Sequence, residues 1–162
     1  MNIYEHAMRF EREGARFYRV LARKAPDRGM KGIFEWLAGQ EDNHLEIIRS
    51  MKAGKDVSTR KRVNFRPIRK MFRSLKSHAE DLEPNPSQAG AYRKALAMEN
   101  RSVSFYSGKA RLAGKGETRK AFNLLASEER KHVVVMENML EFLTGPSRWV
   151  ESAEFSHIGE EY

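Results

Sequence analysis

Cysteine is absent from this chain of 162 residues. That excludes disulfides, thiolate metal sites and a cysteine nucleophile, and it leaves the redox compartment open. Long apolar runs are missing too: charges interrupt them every few residues, so no segment is expected to span a membrane. The opening "MNIYEHAMRF" carries acid and histidine early and lacks a small-residue cleavage site, so a secretory signal is not expected and cytoplasm is the default location. No stretch alternates with a period of two, which argues against strands. Neither a phosphate-binding loop nor a nucleophile triad is recognisable. The length suits one domain able to bury a real core.

What is present is unevenly distributed. The net charge is +8, and residues 60–76, "RKRVNFRPIRKMFRSLK", hold eight Arg or Lys and no acid. From Glu151 onward the chain is acidic instead. A basic patch attracts nucleic acid or an acidic protein. The simpler reading, and the one preferred, is a solvated linker face.

Four long helical patterns account for most of the chain. The first covers roughly 2–25, with Tyr4, Met8, Ala15, Tyr18 and Ala22 on one face. "APDRG" breaks it, and Asp27 can cap the second, which covers roughly 28–54. The third, with Ser87 as its expected cap, covers roughly 87–113, and "AGKGE" turns the chain into a fourth at roughly 117–143. Short turns make each pair antiparallel. Between the pairs lies a crossover at about 55–86, with an amphipathic piece near 67–80. A helix of about 26 residues is roughly 39 Å long, a distance the crossover can run, so the second and third long helices point the same way. The expected fold is all-α: a four-helix bundle at 1–143 with one long crossover, followed by an irregular tail at 144–162 that packs on the bundle.

Sliding the sequence by 88 residues superposes its halves. Glu11 meets Glu99, Phe17-Tyr18 meets Phe105-Tyr106, Phe34 meets Phe122, and "LAGQEDNH" meets "LASEERKH". Glu41 and His44 therefore meet Glu129 and His132, and in each half a lone Glu precedes a Glu-x-x-His by 30 residues. All six residues fall on the apolar stripes of their helices, and residues at i and i+3 share a face. Four buried carboxylates without counter-charge would cost several kcal/mol each, more in sum than a domain's net stability. Two divalent cations remove that cost. The donors are oxygen and imidazole only, which suits iron or manganese better than thiophilic metals.

A Glu on each of two helices with Glu-x-x-His on the other two is the arrangement of ferritin-like di-iron proteins. On "EREGARFY" with "EDNH" and "ENRSVSFY" with "ERKH", the chain resembles that superfamily, most closely its rubrerythrin branch, over about residues 1–143. The resemblance implies a ferritin-like bundle whose metal ligands are Glu11, Glu41, His44, Glu99, Glu129 and His132. Glu41 and Glu129 would bridge two iron ions, with manganese or a mixed pair as the alternative, and Glu11 and Glu99 would be more terminal. Tyr18 and Tyr106 match family tyrosines that hydrogen-bond the carboxylates. Ser102 stands where rubrerythrins carry an extra carboxylate used when an iron shifts between ligands. No rubredoxin module can be built without cysteine, so electrons must come from a separate donor such as a rubredoxin. The ligand set also resembles that of bacterioferritin, but Asp42 follows Glu41 where that family has a haem-ligating Met, and "GPSRWVESAEFSHIGEEY" is too broken for the helix that supports a storage shell.

The implied activity is reduction of hydrogen peroxide, or of oxygen, at a di-iron centre. Two other readings compete: a ferroxidase or iron-handling protein, and a helical binding module whose basic crossover grips nucleic acid. Nucleic acid is not the preferred partner. A homodimer, with or without exchange of helices across the crossover, is what the resemblance implies for assembly. Glu154 and His157 form a third Glu-x-x-His, but Leu124 stands 30 residues before Glu154, so this copy reads as tail structure. His6 and His78 match nothing in the repeat and read as surface residues, Trp36 as core and Trp149 as a tail anchor.

Overall fold

The computed structural model describes residues 2–57, 60, 63–82, 84–146 and 149. Five α-helices and no strand occur among them: α1 (Ile3–Lys24), α2 (Arg28–Lys52), α3 (Arg66–His78), α4 (Ala89–Leu112) and α5 (Glu117–Thr144). No helix among the described residues is long and apolar enough to cross a membrane.

The helix ends follow local chemistry. The Asn2 side chain accepts from the Glu5 amide at 2.9 Å. Asp27 accepts from the amides of Gly29 and Met30, as its capping position predicts, and its other oxygen meets His78 Nε2 at 3.2 Å. His78, read from the sequence as a surface residue, is partly exposed and ties the end of α3 to the start of α2. The expected cap at Ser87 is not formed. Its hydroxyl turns to Asn85, a 3₁₀ turn covers Pro86–Gln88, and α4 starts after it at Ala89. Gly114 and Gly116 turn the chain between α4 and α5 at φ of +72° and +101°, a region that favours glycine.

α1 packs along α2 and α4 along α5, and the two hairpins face one another through α1–α4 and α2–α5. Gln88 Nε2 donates to the Lys24 carbonyl at 2.7 Å, and the Asn85 amide donates to the Leu143 carbonyl at 2.8 Å. These bonds place the start of α4 beside the ends of α1 and α5. At the opposite end Tyr4 of α1 stacks on Phe122 of α5.

The core is divided into two apolar clusters. One contains Ala7, Met8, Ile47, Ile48, Val57, Tyr106, Phe122 and Leu125. The other contains Tyr18, Phe34, Leu37, Phe65, Phe72, Tyr92, Met136 and Phe142. The crossover contributes Val57 to the first cluster and Phe65, Ile68, Phe72, Leu75 and Ala79 to the second, so it runs the length of the bundle as the connection lengths require. Trp149, nearly inaccessible, lies against Phe72 and Phe142 and donates its indole N–H to Asn138 at 3.1 Å. Glu154 and His157 lie outside the described residues.

Candidate metal centre

The level between the two apolar clusters is polar. Glu11 comes from α1, Glu41 and His44 from α2, Glu99 from α4, and Glu129 and His132 from α5, and none is more than 4 % exposed. Their donor atoms form two groups: Glu11, Glu41, His44 and Glu129, and Glu41, Glu99, Glu129 and His132, each with its atoms within 4.8 Å of one another. Glu41 and Glu129 belong to both. The shared pair is the inner pair, and Glu11 and Glu99 are the outer ones.

The 88-residue repeat appears as a near-symmetry of the site. His44 and His132 lie almost parallel, with centroids 5.4 Å apart and an interplanar angle of 15°. Both turn Nδ1 inward: His44 Nδ1 lies 3.2 Å from Glu129 and 3.6 Å from Glu11, and His132 Nδ1 lies 3.1 Å from Glu41 and 3.4 Å from Glu99. Tyr18 on α1 donates its hydroxyl to Glu99 on α4, and Tyr106 on α4 donates to Glu11 on α1. Gly14 makes room for one inner carboxylate: a Cβ added there would lie 3.3 Å from Glu41 Oε2.

The crossover covers the α2–α5 side. Phe65 meets the Trp36 ring edge-on at 5.1 Å, and both rings lie near His132, at 6.4 and 6.1 Å. Trp36 is half-buried rather than a full core residue. A further carboxylate, Glu128, is buried here and was not singled out by sequence. Its Oε1 lies 2.9 Å from His44 Nε2, and it also accepts from the Val63 backbone. The signal that could have found it is its position directly before Glu129, matched in the repeat by Gln40 before Glu41.

Proximity sets the protonation of the metal-free centre. Burial, then the charges of Glu129, Glu99 and Glu11, push the Glu41 carboxyl well above the usual carboxylate range. Burial and the charges of Glu99 and Glu11 push Glu129 up to about 8. Burial is the largest single influence and would raise Glu99 too, but the charge of His132, its contact with that imidazole and with Glu129, and the Tyr18 hydroxyl together outweigh it and lower that carboxyl to about 2. Glu11 is likewise held below its ordinary value against burial, by its contacts with Glu41 and His44, by the His44 charge and by the Tyr106 hydroxyl. Burial opposes a charge on either imidazole, yet the carboxylates prevail and raise both, Glu129 foremost for His44 and Glu99 foremost for His132. Protons on the inner carboxyls and the imidazoles thus do what cations would do better.

The donor set fits cations on a second count. Buried polar atoms normally find partners, yet among the described residues Glu11 Oε2 accepts no hydrogen bond, and neither does Glu129 Oε2. The latter lies 3.0 Å from His132 Nδ1, but only as a charge contact. Lone pairs aimed at a shared interior point are what a pair of ions would satisfy. Ser102, by contrast, lines a depression of about 240 Å³ between α1 and α4, together with Phe10, Glu13, Phe17, Lys94 and Arg101.

The family model described as Rubrerythrin matches residues 2–140. No curated protein gives a significant match. No solved structure does either. The matched span contains every residue of the polar level, and the chain belongs to the rubrerythrin family of ferritin-like di-iron domains.

Proposed function

We propose that this protein is a di-iron oxidoreductase that reduces hydrogen peroxide with electrons from an external donor. Glu11 and His44 would hold one ion, Glu99 and His132 the other, and Glu41 and Glu129 would lie between the two. The chemistry an iron pair would supply there is two electrons to one O–O bond, so that peroxide, two electrons and two protons would give two waters. The chain's own contribution is orientation and exclusion of water. Tyr18 and Tyr106 fix the outer carboxylates from opposite ends of the site. The two apolar clusters close the bundle above and below it.

One observation carries the reading: all six donors are sealed from solvent on four helices of one chain, as suits a resident cofactor. For the donor, the exposed Arg66, Lys70 and Arg73 of α3 favour an acidic one-electron carrier such as a rubredoxin.

Stopped-flow mixing of the Fe(II) protein with peroxide and, separately, with oxygen tests the proposal. Oxidation by peroxide should be the faster by at least about tenfold, a difference of roughly 1.4 kcal/mol in barrier. Faster oxidation by oxygen, with continued turnover of added Fe(II), would instead support ferroxidase activity.

A further inference from the structure

The 88-residue repeat pairs each residue of the centre with a chemical equal, Glu11 with Glu99, Glu41 with Glu129, His44 with His132 and Tyr18 with Tyr106. One step outward the equality ends. Behind His44 stands Glu128, with its oxygen 2.9 Å from Nε2. The residue equivalent to Glu128 is Gln40, which is neutral. Gln40 does not complete the matching bond: among the described residues both Gln40 Oε1 and His132 Nε2 are buried without a hydrogen-bond partner. The outer side of His132 meets the rings of Trp36 and Phe65. One inward-facing imidazole is therefore backed by a carboxylate and the other by aromatic carbon.

That difference bears on cation binding. A ligand imidazole gains basicity and a fixed ring orientation when its other nitrogen donates to a carboxylate. Glu128 offers His44 both, and it adds a negative charge near one ion position only. An Nε2–H with no acceptor gives His132 neither, and leaves a buried donor unsatisfied.

We propose that the two cation positions are unequal, that the one built on Glu11 and His44 binds more tightly and fills first, and that Glu128 is the positioning residue that sets the order. This rests on the two-ion centre proposed above. The depleted intermediate would be a one-ion protein with its ion on the His44 side. A supply of scarce metal would then yield half-loaded molecules of one kind rather than a mixture.

Titration of the metal-free protein with Co(II), followed by calorimetry and by the visible absorption of the ion, tests the inference without any turnover. The wild type should bind two ions in two steps whose affinities differ by about 10–100-fold, the usual worth of an outer-shell partner. Glu128→Gln keeps the shape and removes the charge, and it should weaken the tighter step by about tenfold or more and bring the steps together. Circular dichroism of the same variant confirms that it is folded. Glu11→Gln should abolish the tight step and Glu99→Gln the weak one, which assigns each step to its half. Two equal steps in the wild type, unchanged steps in Glu128→Gln, or a tight step that survives Glu11→Gln would each overturn the inference while leaving the two-ion centre intact. Binding of one ion or none would overturn both.

Discussion

The hydroxyl of Tyr18, on the first helix, donates to Glu99 on the fourth, and so joins the two halves of the chain across the polar level rather than bracing the Glu11 of its own helix. Tyr106 makes the reciprocal bond to Glu11. A ligand-type carboxylate is thus oriented by the opposite hairpin, and docking of the hairpins and shaping of the site are one event.

Replacing either tyrosine by phenylalanine should therefore loosen the assembly as well as the site. Each change removes a donor from a buried carboxylate at almost unchanged volume, worth about 1–3 kcal/mol. Thermal unfolding of the metal-free protein should register it, with the two single changes close to one another in size because the bonds are equivalent by the repeat.

The stability of the metal-free protein and the stabilisation that metal adds should depend on pH with opposite sign. In the metal-free fold the raised imidazoles stabilise fully below an unfolded pKa of about 6.5 and lose that effect as pH rises through their folded values. Glu129, raised to about 8, releases its proton late, so its burial becomes costlier between about pH 4.5 and 8. The lowered Glu99 acts the other way, but only as pH falls below about 4.5 toward its value of about 2. Melting temperature without metal should then fall from pH 5 to pH 8. With metal the same protons are competitors, so the gain in melting temperature on adding ions should grow over that range.

The inner carboxylates should matter to both ions and the outer ones to one. Glu41→Gln or Glu129→Gln is expected to reduce bound metal from two ions per chain toward none under conditions where Glu99→Gln retains one. Equilibrium dialysis with elemental analysis reads this directly. At pH 8 the metal-free Glu41→Gln protein should be at least as stable as the wild type, because a neutral amide replaces a carboxyl that is costly to bury charged.

If an acidic carrier docks on α3, reversing charge there should slow reduction of the oxidised centre and leave its oxidation alone. Lys70→Glu with Arg73→Glu changes two exposed side chains that are not among the candidate ligands. Their reduction rate should fall severalfold at low salt, and the difference should shrink as ionic strength rises. A salt-dependent gel shift with nucleic acid would instead favour the binding-module reading.

Much of this was legible in the sequence because the repeat and the apolar stripes constrain each other. Four helices with short, long and short connections permit few packings, and polar residues that break a stripe at matching places must meet inside. What escaped notice depends on contacts between helices. Glu128 looks like one more acid in "SEER" until α2 brings His44 against it. Helical spacing places Tyr18 near the site but does not say which glutamate it reaches. Ser87 has the right chemistry for a cap, yet the turn at Pro86–Gln88 uses it locally, and the Gln88 side chain closes the end of α1 instead.

Thermal unfolding and metal analysis of one preparation, stripped and then titrated with Fe(II) without oxygen, test the central claim most directly. Two ions per chain should bind, and at a free ion concentration of 100 times each dissociation constant they should add about 2.7 kcal/mol apiece to stability. A protein that stays folded, takes up no ion and melts at the same temperature whatever metal is offered would contradict it.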